Sequence, residues 1–216
     1  MLSAKPFTKV NWATHVDMKT GRPVESELSK KLRAGEQIQL YPSVRGGKNW
    51  MHAAFNPNTG LLYANTNNTP STLKLVDFAP YKPGMRYTGV ENSYPPVKPG
   101  DVVGHIEAID PLTGKAVWKI PMMDMPSSAA MLGTEGGLLF TGLLTGEVVA
   151  LDIDSGKRLW QFKAGSSVNA PPITYTYKGK QYVSVLSGRG GSNAARFVTD
   201  KVPAGGMVWT FALMDE

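Results

Sequence analysis

Residues 146–160 read GEVVALDIDSGKRLW, and residues 104–118, which lie 42 positions earlier, read GHIEAIDPLTGKAVW. Self-similarity at a fixed spacing of this size is typical of a repeat architecture. A weaker third copy, DMKTGRPV, spans residues 17–24 and matches DPLTGKAV at residues 110–117. The two long copies share six identical pairs: Gly104/Gly146, Ala108/Ala150, Asp110/Asp152, Gly114/Gly156, Lys115/Lys157 and Trp118/Trp160.

Each long copy predicts a β-hairpin. The apolar run Val148–Leu151 suits a strand that is buried on both faces. The following DIDSG predicts a turn, because Asp and Ser accept hydrogen bonds from nearby backbone N–H groups and Gly tolerates a positive φ. KRLWQF then predicts a second strand, with Leu159 and Trp160 as packing residues.

A further hairpin precedes each of these, at residues 135–146 and 58–68. One unit, from about residue 126 to 165, therefore contains four antiparallel strands. Four strands per repeat, with a period near 42 residues, predict an all-β fold built of β-propeller blades. A β-sandwich is the alternative, but sandwiches do not repeat their sequence at a fixed period.

The segment 69–101 interrupts the repeats. It carries the prolines Pro70, Pro80, Pro83, Pro95, Pro96 and Pro99. We predict a Pro-rich insertion that leaves the blade between two strands, either as a plain surface loop or as a binding element. Residues 25–33 form the one plausible helix.

Composition excludes several classes of function. The 216 residues contain no cysteine, which rules out disulfides, zinc–thiolate sites and a thiol nucleophile within the chain. The formal net charge of +6 is spread along the sequence. The only tight basic cluster, at residues 30–33, reads as a solvated turn, so no nucleic-acid partner is expected. No apolar run is long enough to span a bilayer, and no signal-peptide pattern is found at residues 1–15.

The repeat also carries a more specific pattern. Its residues are Ala108, Asp110, Thr113, Gly114 and Trp118 in one copy, and Ala150, Asp152, Ser155, Gly156 and Trp160 in the other. This pattern resembles the tryptophan-docking motif of quinoprotein dehydrogenases, which use pyrroloquinoline quinone (PQQ). In that family the indole of each blade stacks on the neighbouring blade. GGKNW at residues 46–50, and residues 165–191, resemble segments of the PQQ-dependent alcohol and methanol dehydrogenases in the same order.

The resemblance implies a fold and an activity. The family folds as an eight-bladed propeller, of which residues 1–216 would supply about three to four blades, as a C-terminal portion. The blade-like repeats lie near residues 104–123 and 146–165, and the insertion at 69–101. The family oxidises primary alcohols to aldehydes with PQQ and a calcium or lanthanide ion. Its catalytic Asp and metal ligands lie upstream of the matching region, so we predict no catalytic residue and no metal ligand in this fragment.

The resemblance also suggests individual contacts. Asn49 matches a position that contacts PQQ, although Asn is also common in turns, and the adjacent Trp50 would lie in the core or in the pocket wall. Val168 and Asn169 fall where the family approaches the cofactor again, partly through backbone, although Asn169 departs from the usual apolar residue. Arg189 replaces a Trp near the substrate entrance, and either favours polar or anionic alcohols or faces water.

We therefore predict part of a quinoprotein alcohol dehydrogenase that is inactive alone. By family analogy its partners are a small alcohol and a cytochrome c-type electron acceptor, and its location is the periplasm. A non-enzymatic PQQ-repeat propeller, acting as a scaffold or binding module, is the alternative. A stretch without independent function is a third possibility.

Overall fold

A computed structural model describes residues 3–76, 80–85, 87–123, 125–190, 197 and 202–213. Within these residues the regular secondary structure is almost entirely antiparallel strands, joined by turns and loops, with one short helix. The elements are β1 Ala13–Val16, β2 Pro23–Glu25, α1 Glu27–Arg33, β3 Ile38–Leu40, β4 Ala54–Asn56, β5 Leu61–Asn67, β6 Ser71–Leu75, β7 Val90–Ser93, β8 Val102–Asp110, β9 Lys115–Met123, β10 Leu132–Gly133, β11 Leu138–Gly142, β12 Glu147–Asp152, β13 Arg158–Lys163, β14 Ile173–Tyr177, β15 Lys180–Gly188 and β16 Gly206–Ala212. The predicted all-β class is confirmed.

The chain divides into two compact units, and the first comprises residues 1–47 and 68–97. It contains the β1–β2 hairpin, the helix α1 and a sheet of order β3–β6–β7. Ser26 caps α1, since its side chain accepts a hydrogen bond from the backbone N–H of Ser29 at 3.4 Å. The helix predicted at residues 25–33 is confirmed.

The Pro-rich insertion has more regular structure than the sequence suggested. The insertion begins after β5 and ends before β8, and these two strands pair directly with each other. Within it, β6 pairs with β3 on one side and with β7 on the other. All six prolines lie outside these strands, as expected for residues that lack a backbone donor.

The second unit comprises residues 48–67 and 98–216 and holds three sheets. The first sheet has the order β4–β5–β8–β9, the second β10–β11–β12–β13 and the third β14–β15–β16. Two sheets are thus four-stranded antiparallel units that follow the repeat, which confirms the predicted blade topology. In both, the repeated Ala lies opposite the repeated Trp: Ala108 pairs with Trp118, and Ala150 with Trp160. A register shift follows the Ala in each case.

Apolar clusters join the sheets of the second unit in chain order. Val148, Val149 and Leu151 are at most 2% exposed, as predicted for this strand. Leu159, which was predicted to pack, is 52% exposed, so that expectation is wrong. The cluster between the first and second sheets contains Tyr63, Ile106, Ala108, Met131, Leu139, Leu143, Val149, Leu151 and Ile153. The cluster between the second and third sheets contains Val148, Ala164, Val168 and Val185, with Phe162, Trp209 and Phe211 against it.

The three repeated turns share one hydrogen-bonding scheme. The backbone N–H of Gly21, Gly114 and Gly156 donates to the carbonyl of the Asp four residues earlier, at 2.7, 2.8 and 2.9 Å. Each of these glycines has a φ between 67° and 71°, which an L side chain rarely adopts. Each Asp side chain also accepts from backbone N–H groups inside its own turn. The weak third copy at residues 17–24 therefore forms the same turn as the two strong ones.

Trp118 connects the first sheet to the turn of the second. Its indole Nε1 donates to the carbonyl of Ile153 at 3.2 Å. A Cβ at Gly156 would lie 2.8 Å from Cε3 of Trp118, so the indole occupies the space that a side chain would need. Trp160 packs differently, since its ring meets Phe211 edge to face at 5.0 Å and it is 38% exposed.

We expect Thr113→Ala to raise the pKa of Asp110 towards its ordinary value. The Thr113 hydroxyl donates to Oδ2 of Asp110 at 2.8 Å, and this bond, with backbone N–H groups of the turn, lowers the pKa of that carboxyl. A lowered pKa stabilises the fold above the unfolded-state pKa, and this stability is lost as the pH falls through the folded-state pKa. The Thr113→Ala variant should therefore lose less stability than the unchanged chain as the pH falls through this range.

The measurement is an NMR titration of the carboxyl carbons. Ser155→Ala is the matched control, because Ser155 donates to Asp152 in the equivalent turn and lowers the pKa of that carboxyl instead. An Asp110 pKa that moves equally in both variants would contradict the assignment.

Candidate functional site

Asn49 and Trp50 form the exposed tip of the loop before β4. Trp50 is 61% exposed, so it does not lie in the core of this chain, and its place in a pocket wall stays a prediction. The carbonyl Oδ1 of Asn49 accepts a hydrogen bond from the backbone N–H of Trp50 at 2.8 Å. Such a bond holds the amide against the backbone of the loop.

Hydrogen bonds of the residues on either side anchor this tip. Met51 is 3% exposed, and its carbonyl accepts a hydrogen bond from Nζ of Lys48. Partial burial lowers the pKa of Lys48. The carbonyl of His52 accepts from the backbone N–H of Met131 at 3.0 Å. The tip therefore projects from a loop that is held at its base.

Gly47 lies at the start of this loop and has no room for a side chain. The space beside it is already filled from within the first unit, since a Cβ there would overlap Thr8 and lie 3.1 Å from Cε2 of Phe7. The close approach at this glycine is thus made by the chain's own residues.

Val168 lies in the core between the second and third sheets. It is 0% exposed, and its backbone N–H donates to the carbonyl of Leu143 at 3.0 Å. A Cβ at Gly142 would overlap the Val168 side chain. The side chain is committed to packing, and its contact with a cofactor stays a prediction.

The structure brings Asn169 and Arg189 together. Nδ2 of Asn169 donates to the carbonyl of Gly190 at 2.8 Å and lies 3.4 Å from the carbonyl of Gly188. Arg189 stands between these two glycines and is exposed. Asn49 and Trp50 belong to the other loop, before β4. The predicted contact residues thus fall into two groups, one on each loop.

Glu107 is a buried charge that was not predicted from the sequence. Glu107 on β8 is 1% exposed, and Nζ of Lys119, which pairs with it across the strands, lies 2.8 Å from its Oε2. Burial and the Lys119 charge lower the pKa of the neighbouring His105, against an opposing effect of Glu107. The sequence offered one indication of this buried charge, because Glu107 lies among apolar residues in a stretch that is predicted to form a strand.

A metal site was not predicted in this chain. Across the described residues, no group of three or more His, Asp or Glu side chains is placed to hold a metal ion. Likewise, no helix in the described part of the chain is both long and apolar enough to cross a membrane.

The chain is similar in sequence and in structure to known quinoproteins. A PQQ-repeat family model described as "Outer membrane protein assembly factor BamB" matches residues 103–195. The "Quinoprotein ethanol dehydrogenase" of Pseudomonas aeruginosa is 36% identical over 227 residues, which covers 98% of this chain and 35% of that protein. The chain matches one third of a quinoprotein alcohol dehydrogenase. The predicted resemblance to the quinoprotein alcohol and methanol dehydrogenases is confirmed.

Further quinoproteins match in sequence and in structure. The "Lanthanide-dependent methanol dehydrogenase" of Methylacidiphilum fumariolicum is 38% identical over 194 residues, covering 88% of this chain and 31% of that protein. The solved "Europium-containing methanol dehydrogenase" superposes with a TM-score of 0.86 at 32% identity, over 98% of this chain and 41% of that one. The quinohemoprotein alcohol dehydrogenase of Comamonas testosteroni gives a TM-score of 0.81 at 32% identity, over 97% of this chain and 32% of that one.

These matches confirm the fold as part of a quinoprotein propeller. The chain spans about a third of the length of the curated quinoproteins it matches. The roles of Asn49, Trp50, Val168, Asn169 and Arg189, and of the docking-motif residues, stay predictions.

Proposed function

We propose that this chain supplies one part of the cofactor-binding region of a PQQ-dependent alcohol dehydrogenase. The observation that carries the proposal is the similarity to enzymes of this class along 98% of the chain. The exposed tip formed by Asn49 and Trp50 on a buried base supports it, because an enzyme needs such polar and aromatic groups where a cofactor binds.

Asn49 and Trp50 fit PQQ in chemical character. The Asn49 amide both donates and accepts hydrogen bonds, which suits the carbonyl and carboxylate oxygens of a quinone. The exposed indole of Trp50 offers a flat apolar surface with a donor at its edge. When bound, PQQ accepts the two electrons and two protons that a primary alcohol loses as it becomes an aldehyde. In this proposal the chain's own residues bind and orient the cofactor.

A calcium or lanthanide ion prefers several carboxylate and carbonyl oxygens in one place. The described residues offer no group of three or more Asp, Glu or His side chains placed to hold one. We therefore propose that the metal ligands and the catalytic base lie in the part of the longer relatives that this chain does not match. The 216-residue chain alone is then expected to give no dye-linked alcohol oxidation with PQQ and either ion.

Two properties are proposed by family analogy. A periplasmic location and a cytochrome c-type electron acceptor would follow if the chain works within a quinoprotein alcohol dehydrogenase. A second function has one observation in its favour, because the matching family model is described as an outer membrane protein assembly factor. A PQQ-repeat propeller that acts as a scaffold or binding module would explain that match without a cofactor.

A chimera separates these functions. The matched third of the Pseudomonas aeruginosa quinoprotein ethanol dehydrogenase is replaced by this chain, and dye-linked oxidation of ethanol and 1-butanol is measured with and without PQQ. We expect PQQ-dependent turnover with at least one of these alcohols. A chimera that folds but shows no PQQ-dependent oxidation of either alcohol would contradict the proposed enzyme, and one that folds without binding PQQ would favour the scaffold.

A further inference from the structure

Two distant segments of the chain meet around Arg189. The backbone N–H of Gly188, at the end of β15, donates to the carbonyl of Ser167 at 2.7 Å. One residue beyond Arg189, the carbonyl of Gly190 accepts from Nδ2 of Asn169 at 2.8 Å. The residues on both sides of Arg189 are thus bonded to the stretch 167–169.

The Asn169 amide closes this arrangement. Its Nδ2 also lies 3.4 Å from the carbonyl of Gly188, so a single side chain reaches the carbonyls before and after Arg189. The backbone N–H of Gly190 donates to the carbonyl of Gly188 at 3.0 Å, which tightens the turn. Without these hydrogen bonds, a turn with a glycine on each side of Arg189 would have wide conformational freedom.

The stretch that holds the turn is itself fixed in the core. Val168 is 0% exposed, and the hydroxyl of Ser167 donates to the carbonyl of Leu144 at 2.8 Å. Below the turn, the hydroxyl of Ser187 donates to the carbonyl of Ala164 at 3.2 Å. The backbone of Arg189 is therefore carried by buried residues, while the residue itself is exposed. A group held on a rigid base loses less conformational entropy when it binds a ligand.

A guanidinium on such a base is suited to a carboxylate. Its planar fork of N–H donors matches the two oxygens of a carboxylate, and it stays charged at every physiological pH. A guanidinium–carboxylate pair would therefore fix the orientation of a substrate that carries a carboxylate at one end.

We propose that Arg189 binds the carboxylate of an alcohol that also carries an acid group, and that Asn169 is the positioning residue that holds Arg189 for this contact. The inference rests on the proposed alcohol-oxidising function and names its substrate class, which is the hydroxy acids.

The first test compares two substrates of similar length in the chimera, 4-hydroxybutyrate and 1-butanol, at constant ionic strength. We expect Arg189→Gln to lower the ratio of kcat/KM for the acid over that for the neutral alcohol about tenfold, and Arg189→Lys to restore part of it. Asn169→Leu should lower the same ratio about threefold, because the turn loses its clamp while the charge remains. Arg158→Gln, which removes an equal charge from the exposed strand β13, should leave the ratio unchanged.

A ratio that is the same in Arg189→Gln and in Arg158→Gln would overturn the inference, while the turnover of 1-butanol would leave the proposed function standing.

The second test needs no turnover. The Nε–Hε resonance of Arg189 is followed by NMR in the 216-residue chain during titration with 4-hydroxybutyrate, with 1,4-butanediol as the neutral comparison. We expect a saturable shift with the acid alone, and a weaker response in Asn169→Leu. A shift in a chain whose chimera oxidises no alcohol would refute the enzyme but keep the carboxylate site. An unmoved Arg189 resonance, or equal shifts for Arg189 and Arg158, would overturn the site.

Discussion

Gly104→Ala is expected to lower the free energy of unfolding of the chain by about 3 kcal/mol. Gly104 is buried on β8 and pairs with Asn67 of β5. A Cβ at this position would overlap the backbone carbonyl oxygen of Thr66, which cannot rotate away as a side chain would. The central strand pair β5–β8 must therefore separate or shift, and hydrogen bonds are lost with it.

Urea-induced unfolding followed by tryptophan fluorescence measures this effect. Gly136→Ala is the matched control, since a Cβ there would have no heavy atom within 4 Å. That variant should change the free energy of unfolding by less than about 0.5 kcal/mol. Equal unfolding midpoints for the two variants would mean that β5 and β8 do not approach as closely as described.

Asn49→Leu is expected to weaken the binding of PQQ by the chimera about tenfold to a hundredfold. Leu has a similar size but neither donates nor accepts a hydrogen bond, and a lost bond to a charged or polar oxygen costs about 1.5–3 kcal/mol. The dissociation constant is measured by equilibrium dialysis against PQQ.

Asn58→Leu provides the control for this measurement. Asn58 is an exposed amide in the turn after β4, close in sequence to the tip but outside it. Its replacement should leave the affinity for PQQ unchanged. A loss of affinity that is equal in both variants would point to a general change in the fold, and no loss in Asn49→Leu would remove Asn49 from the cofactor contacts.

The repeated hairpins were predictable because each is local. The Asp, the Thr or Ser and the Gly of one turn bond to one another within five residues, so their identities alone determine the geometry. The apolar run Val148–Leu151 predicted burial for the same reason, since a strand that is apolar at successive positions must be covered on both faces.

Pairings between distant segments were not predictable from local patterns. The strands β6 and β7 lie in a segment whose prolines suggested a loop, and β6 is stabilised by β3, more than thirty residues earlier. Strand formation of this kind depends on the partner more than on the segment's own propensity. The exposure of Leu159 has the same origin, because β13 is the last strand of its sheet.

The candidate site shows the same division. Asn49 could be singled out through the resemblance of GGKNW to the quinoprotein dehydrogenases, but the anchoring of its loop by Lys48 and Met51 required the structure. The bond between Asn169 and Gly190 joins residues 21 positions apart, and no local pattern signals it.

The most direct test of the central claim is a crystal structure of the chimera with PQQ bound. Our account predicts that an amide atom of Asn49 lies within about 3.2 Å of an oxygen of the cofactor. A structure in which PQQ is bound and the Asn49 side chain faces solvent, away from the cofactor, would contradict the claim that this chain contributes to the PQQ site.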